Sequence, residues 1–237
     1  MNKKETLEVV NQVFYNVFER ENPYTLEEIE EKFAFDVKLP KQVKDSLTGE
    51  ITWSEMENAK KFIKQKNMEK YDETKGWVLK KRPVTSLEDI INIWDKINYT
   101  TTERYYDSMN VSESDTIYNC TNVYRSTDCT KSKNVIFSDG CARSENIIAC
   151  QRSGDSTNCI RVDDSGTCSN SYNVICSAKI TNSIFIQDCN NLYECMFCSH
   201  IANMRYCISN MQFEQEEYFK IKKVIVDWIL QKQSDKI

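Results

Sequence analysis

Glycine, proline and histidine are scarce in this chain of 237 residues, which contains five, three and one of them. No glycine-rich phosphate loop, G-x-S-x-G elbow or H-E-x-x-H pair occurs. The single histidine, His200, excludes zinc sites that need two histidines. The sequence therefore has no motif that identifies a reaction, and we predict no cofactor.

Long apolar runs are also absent. No run approaches the roughly 18 residues of a membrane span, and the start, MNKKETLEVVNQVF, lacks the apolar core and cleavage site of a secretory signal. We therefore expect a cytoplasmic protein without membrane contact, in which the eleven cysteines are thiols. A formal net charge of −5 argues against nucleic acid as a direct ligand.

Cysteine and proline divide the chain. All eleven cysteines lie between Cys120 and Cys207, and all three prolines precede them. The composition predicts an α+β protein in three parts. These are a mostly helical N-terminal domain with a small β-hairpin (residues 1–110), a repeat region (111–212) and a C-terminal helix (213–237).

Apolar residues at helical spacing predict helices at residues 4–19 and 87–97. Capping boxes predict a helix from Thr25 to Phe33 and another from Ser54 to Lys66. The alternating stretch VKLPKQVKDSLTGEITW predicts a hairpin with its turn near Gly49. We expect the apolar stripes of all these helices to lie in the core.

Asparagine recurs every twelve residues at Asn122, Asn134, Asn146 and Asn158. Apolar residues follow each of them, and the series resumes at Asn173 if three residues are inserted before it. Short strands of this kind must stack to be stable, so the repeat predicts a β-solenoid.

We expect two 12-residue units per turn, about 24 residues, because a 12-residue turn would leave too little space inside for Ile136, Phe137, Ile148 and Phe185. Asn122 would then stack on Asn146 and hydrogen-bond to it. Cysteine would fill the interior, since a thiol is small and tolerates burial. The C-terminal helix would cover the last coil, and the N-terminal helices the other end.

The small-residue, cysteine-bearing coils resemble those of pentapeptide-repeat and other β-helical proteins. The stretch RYCISNMQFEQEEYFK, residues 205–220, resembles the end of uncharacterised cysteine-rich repeat proteins from bacterial and phage-like genomes. Both resemblances imply the fold, and neither implies a reaction.

Two clusters are candidate sites. Cys195, Cys198, His200 and Cys207, with Cys189 nearby, have spacings that a zinc ion or a Cys–His pair could use. We predict buried thiols and no metal, because the repeat already places Cys195 and Cys207 at equivalent positions. The apparent insertion after Asn158 predicts a loop that bulges from the stack and brings five charged residues into a small region. They are Arg152, Asp155, Arg161, Asp163 and Asp164.

We favour the first of three functions, because motifs for chemistry are absent while extended surface is abundant, and keep the other two as alternatives. The first is a non-enzymatic protein that binds another macromolecule, most simply a protein, through its solenoid surface; it would be an inhibitor or adaptor, such as a phage or mobile-element CRISPR inhibitor. The second is a structural component of a virion or other assembly, which includes homo-oligomers. The third is an enzyme centred on Asp163 and Asp164. The solenoid region has ten acidic and eight basic residues, which does not support nucleic-acid mimicry.

Overall fold

The computed structural model describes residues 1–56, 58–75 and 77–231. The N-terminal region contains four helices and four short strands among these residues. They are α1 (Lys3–Phe18), α2 (Leu26–Phe33), β1 (Lys41–Lys44), β2 (Ile51–Ser54), β3 (Phe62–Lys64), α3 (Gln65–Lys75), α4 (Leu87–Ile97) and β4 (Thr100–Thr102). The predicted helices at 4–19 and 87–97 and the helix ending at Phe33 are confirmed, and capping boxes begin α1, α2 and α4.

The predicted hairpin is also confirmed. β1 and β2 pair antiparallel, and Gly49 in their connection has a φ of 76°, which glycine adopts at little cost. The predicted helix from Ser54 to Lys66 is wrong, because Phe62–Lys64 forms strand β3 and pairs parallel with β4. The expected cap residue Glu57 lies outside the described residues. Burial of Ile63 between these strands outweighs the capping signal.

The remainder of the chain winds into a β-solenoid followed by one helix, as predicted. Its strands are β5 (Tyr105–Tyr106), β6 (Met109–Ser112), β7 (Asp115–Tyr118), β8 (Thr121–Tyr124), β9 (Thr127–Thr130), β10 (Lys133–Ile136), β11 (Glu145–Ile148), β12 (Thr157–Asp163), β13 (Ser169–Ile175), β14 (Ala178–Thr181), β15 (Ile184–Gln187), β16 (Asn190–Ser199), β17 (Ala202–Ile208) and β18 (Met211–Gln212). The helix is α5 (Gln215–Ile229).

The unit of the solenoid is a triplet. Every third residue from Asp107 to Ser209 has a positive φ. In the triplet Thr121–Asn122–Val123, the first residue faces outward, the second has the positive φ, and the third is buried in the lumen. The left-handed backbone at every third residue bends the chain repeatedly, so a turn closes after few residues.

Each turn of the solenoid has 12 residues, or four triplets. Val135 pairs with Val123 on one side and with Ile147 on the other, each 12 positions away. The predicted turn of two units, about 24 residues, is therefore wrong. It assumed that Ile136, Phe137, Ile148 and Phe185 lie in the lumen, and none of them does. Ile136 and Ile148 are first residues of triplets, and helices cover them from outside. The other two, Phe137 and Phe185, are second residues with positive φ.

Small polar and sulfur side chains fill the lumen between a few aliphatic ones. Ser126 Oγ donates to Tyr124 O (2.9 Å) and accepts from the backbone N–H of Ser138 on the next turn (3.0 Å). In the same way, Cys150 Sγ accepts a hydrogen bond from the backbone N–H of Val162 on the next turn, at 3.5 Å. Hydroxyls and thiols thus satisfy backbone groups that the bends remove from the strand ladder. Ten of the eleven cysteines are buried, Cys176 being the exposed one, which confirms their predicted role as filler.

The repeating asparagines Asn122, Asn134, Asn146 and Asn158 form an amide ladder that rises by a single turn at each step. Asn122 donates to Asn134 (2.8 Å) and Asn134 to Asn146 (2.7 Å), so the predicted stacking of Asn122 directly on Asn146 is wrong. The ladder continues at 12-residue spacing through Asn158 to Asn170, at 3.0 Å. The predicted insertion of three residues before Asn173 is wrong. Asn173 belongs to the triplet that follows Asn170 and also has a positive φ.

Helices cover one side of the solenoid. The outward residues of this side form an apolar column that packs against α1, α2 and α5. The column contains Tyr124, Ile136, Ile148, Ile160, Tyr172, Ile184 and Met196. Phe18 of α1 contacts Tyr172 with ring centroids 5.4 Å apart, and the Asn16 amide donates to Asn158 at 3.0 Å. Helix α1 therefore packs along the side of the solenoid, and not over its end as we expected.

Helix α5 packs on the last coil. Tyr218 is fully buried against Tyr206 of β17, and Lys222 forms an ion pair with Glu194 of β16 at 2.8 Å. The far end of α5 reaches α2, where Lys32 Nζ donates to Ile229 O at 2.7 Å. The predicted C-terminal helix is confirmed, and it packs against the same side of the solenoid as α1. None of the helices in the described part of the chain is long and apolar enough to cross a membrane.

Candidate interaction surface

The side of the solenoid opposite the covered column has small outward residues. Ala142, Gly154, Gly166 and Ala178 occupy the same place on four successive turns and form consecutive parallel bridges. We call the surface formed by these four residues the trough. At about 4.8 Å per turn, its floor is roughly 14 Å long. A partner could approach the backbone closely here, because little side chain lies in the way.

Charged residues with positive φ border the trough on both sides. Arg143 forms a bidentate ion pair with Asp155, one turn further along, at 2.7 and 2.8 Å. On the opposite border, Arg152 forms a bidentate ion pair with Asp164 of the next turn, at 2.7 and 2.9 Å. The four side chains are between 48% and 61% exposed, so both borders are open to solvent.

The electrostatics of these carboxylates differ. Hydrogen bonding to Arg143 lowers the pKa of Asp155, and hydrogen bonding to Arg152 lowers the pKa of Asp164. Burial raises the pKa of the adjacent Asp163, although Arg152 Nη2 lies 2.5 Å from its carboxylate. Arg152 thus forms hydrogen bonds with both acids of the predicted enzyme centre.

The structure does not keep the five charged residues of the predicted loop together. Arg152, Asp155, Asp163 and Asp164 lie at the borders of the trough on regular coils, and the predicted inserted loop does not exist. The fifth residue, Arg161, lies on a different side.

Arg161 fastens the segment after α2 to the solenoid. Its guanidinium pairs with Asp36 at 2.8 and 2.9 Å, donates to Phe33 O at 2.6 Å, and covers the Phe35 ring. This arrangement gives Arg161 a structural role.

The predicted zinc cluster is not assembled. Cys195, Cys198 and Cys207 face the lumen at its C-terminal end, whereas His200 lies on the outer surface with its side chain 75% exposed. Its ring contacts Ser199 Oγ at 2.5 Å and Asp188 at 3.7 Å. In the described part of the chain, no three His, Cys, Asp or Glu side chains are grouped as ligands of one metal ion.

The lumen thiols differ in acidity. Burial raises the pKa of Cys150 to about 12, which makes its thiol unreactive. A hydrogen bond from Cys195 lowers the pKa of Cys198 to about 7, and the pKa of Cys195 rises in return. Because both are buried and His200 faces away from them, this pair does not form the predicted Cys–His nucleophile site.

A second concave region lies between α2 and the β1–β2 hairpin, with a volume of about 850 Å³. Arg125 forms an ion pair with the Glu30 carboxylate there, at 3.0 Å. The guanidinium carbon of Arg125 also lies 5.0 Å from the centroid of the Trp53 ring. These contacts join the N-terminal region to the solenoid.

Sequence reasoning identified the charged borders but missed the floor of the trough. The signal was present, because Ala142, Gly154, Gly166 and Ala178 are 12 residues apart in the printed sequence. This 12-residue spacing can be recognised only when the triplet pattern shows which residues face outward and which face the lumen. No protein-family model, no curated protein and no solved structure matches the chain.

Proposed function

We propose that the protein is a non-enzymatic binding protein that holds a protein partner along the trough. The single observation that carries the proposal is the column of four small residues between two exposed, charged borders. Loops or faces on a rigid scaffold commonly bind partners, and this scaffold is rigid because each turn is tied to the next.

A protein segment suits this surface better than nucleic acid. Every arginine at the trough borders is paired with an aspartate, so the borders offer both signs of charge, and the chain has a net charge of −5. A duplex or single strand would need unopposed cations. An extended peptide can lie over the small side chains and exchange its own charged groups with Arg143–Asp155 and Arg152–Asp164.

The biological role that we propose is that of an inhibitor or adaptor. The resemblance of residues 205–220 to proteins of phage-like genomes favours a protein that acts on a host system, such as a CRISPR inhibitor. Cytoplasmic location is part of the same proposal.

Tryptophan substitution in the trough tests the proposal. A Cβ at Gly154 meets nothing closer than 3.7 Å, at Gly166 nothing closer than 3.5 Å, and neither has a positive φ. The double variant Gly154→Trp with Gly166→Trp should therefore fold while filling the trough. Gln187→Trp, at an exposed outward position of the neighbouring side, is the matched control.

Each tagged variant is used to capture partners from a native lysate of cells that express the protein, with quantitative mass spectrometry. We expect the trough variant to lose a partner that the wild type and the control retain. Equal capture by all three would contradict the proposal. The double variant Asp163→Asn with Asp164→Asn tests the enzyme alternative. If this variant captured the partner fully but lost the cellular phenotype, the enzyme alternative would be favoured.

A further inference from the structure

The two borders of the trough carry opposite charge. Each border is one corner of the solenoid, where residues 12 apart in sequence have a positive φ on successive turns. Both corners continue past the four small residues of the floor. The charged residues of the lysine border are Lys131, Arg143, Asp155 and Lys179, and those of the aspartate border are Asp128, Arg152, Asp164 and Asp188.

The ion pairs of the trough do not remove this difference. Each bidentate pair joins an arginine and an aspartate of the same border, so it neutralises that border internally. Among the residues that the structure describes, Lys131 and Lys179 are left without an acidic partner, and Asp128 and Asp188 without a lysine or arginine partner. All four are exposed. The imidazole of His200 lies 3.7 Å from Asp188, which is too far for a hydrogen bond.

The carboxylates at the aspartate border repel one another. Asp139 faces outward beside this border. Burial raises the pKa of Asp139, and the negative charge of Asp128 raises it further, whereas the charges of Lys38 and Arg152 oppose this effect. A cationic side chain of a partner at this border would relieve the repulsion between Asp128 and Asp139.

The borders have the length of a short extended segment. Lys131 and Lys179 are four turns apart, which is roughly 19 Å at about 4.8 Å per turn. An extended segment rises about 3.3 Å per residue, so about six residues span this distance. Its successive side chains point to opposite sides. With the backbone of the segment along the floor, alternate residues therefore face opposite borders.

We propose that the trough selects an extended segment in which acidic and basic residues alternate. The acidic side chains of the segment face the lysine border, and its basic side chains face the aspartate border. This inference rests on the proposed function and names the class of segment that the trough binds. Opposite charges across an interface select partners and fix their register. A uniformly acidic or uniformly basic segment is disfavoured, because one of the two borders repels it.

Panning a display library of random eight-residue peptides against the immobilised full chain, at low ionic strength, tests the proposal. We expect the enriched peptides to alternate in charge. An enriched peptide is then synthesised beside an isomer in which the same charged residues are arranged in like pairs. The two have equal net charge, but each side of the extended isomer carries both signs. Fluorescence anisotropy should show binding of the isomer about tenfold weaker.

Reversing the charge of one border and then of both provides the decisive comparison. Lys131→Glu with Lys179→Glu makes both borders acidic, so it should weaken binding of the enriched peptide about tenfold. Adding Asp128→Lys with Asp188→Lys exchanges the charges of the two borders. Binding should then return, because the peptide can lie along the trough in the reverse direction. Misfolding caused by the first two changes could not be repaired by two more.

The matched control is Lys220→Glu with Lys223→Glu, which makes the same change in net charge at exposed positions of α5 and should leave binding unchanged. Equal binding of the two isomers, or binding that no border reversal alters, would overturn the inference, and so would a library without enriched peptides. The trough itself is tested separately by Gly154→Trp with Gly166→Trp. If this variant bound the enriched peptides as tightly as the wild type, the proposed function would fail as well.

Discussion

Asn158 is the residue whose loss should reveal the amide ladder most clearly. Its Oδ1 accepts from Asn16 of α1 and from Asn146 of the preceding turn, both at 3.0 Å, and its Nδ2 donates to Asn170 at 3.0 Å. It therefore ties three turns and one helix together. Its φ of 52° adds a backbone requirement that asparagine meets more easily than alanine.

We expect Asn158→Ala to destabilise the protein by about 3 kcal/mol. The three hydrogen bonds are partly buried and contribute about 2 kcal/mol in total, and the left-handed backbone costs alanine about 1 kcal/mol more. Asn158→Gly should lose only the hydrogen-bond part, because glycine adopts a positive φ freely. The matched control is Asn173→Ala, which has a φ of 54° but lies in another column, and should cost about 1 kcal/mol.

Urea unfolding followed by circular dichroism and by tryptophan fluorescence measures these differences. Two probes are needed because long repeat arrays can unfold in more than one step. If Asn158→Ala and Asn173→Ala were equally destabilising, the ladder would contribute nothing to stability. The reasoning about stacked amides would then be refuted.

Three further predictions follow from burial and charge. Ile147→Ala should cost about 2–5 kcal/mol by urea unfolding, because Ile147 is fully buried in the lumen; a loss below 1 kcal/mol would mean that the lumen collapses around the cavity. Cys176 should be the thiol that iodoacetamide modifies in the native protein, with Cys150 modified only after unfolding, as peptide mass spectrometry would show; early modification of Cys150 would contradict its burial. Hydrogen bonding to Arg161 lowers the pKa of Asp36 in the folded state, so this pair stabilises the protein above the unfolded pKa of Asp36, and the stabilisation is lost as the pH falls through the folded value. Asp36→Asn should therefore reduce the loss of thermal stability between neutral and acidic pH, and an unchanged pH dependence would exclude this role.

Much of the fold could be predicted because local signals agreed with it. The Thr25 capping box located the start of α2, apolar residues at helical spacing located α1 and α4, Gly49 located the hairpin, and the period of asparagine indicated stacked turns. The number of residues per turn could not be predicted from asparagine alone. Asparagine is one of many residues that occupy the positive-φ position here, so Asn173 resembled a shifted repeat although the register never changes.

Other features depend on tertiary packing, which a sequence pattern does not specify. The apolar stripes of α1 and α4 look alike in sequence, but Val13 of α1 is fully buried and Trp94 of α4 is exposed. A pattern shows that a face is apolar, but it does not show what covers it. The ion pairs Arg143–Asp155 and Arg152–Asp164, by contrast, follow from the 12-residue turn once that turn is known.

Zero-length carbodiimide cross-linking with mass spectrometry tests the 12-residue turn on which the trough depends. Lys133 Nζ lies 2.9 Å from Glu145 Oε1 on the next turn, so an amide bond should form between these two residues. A 24-residue turn would separate them and would place Lys131 beside Asp155 instead. We predict the Lys133–Glu145 cross-link; a Lys131–Asp155 cross-link without it would contradict the account.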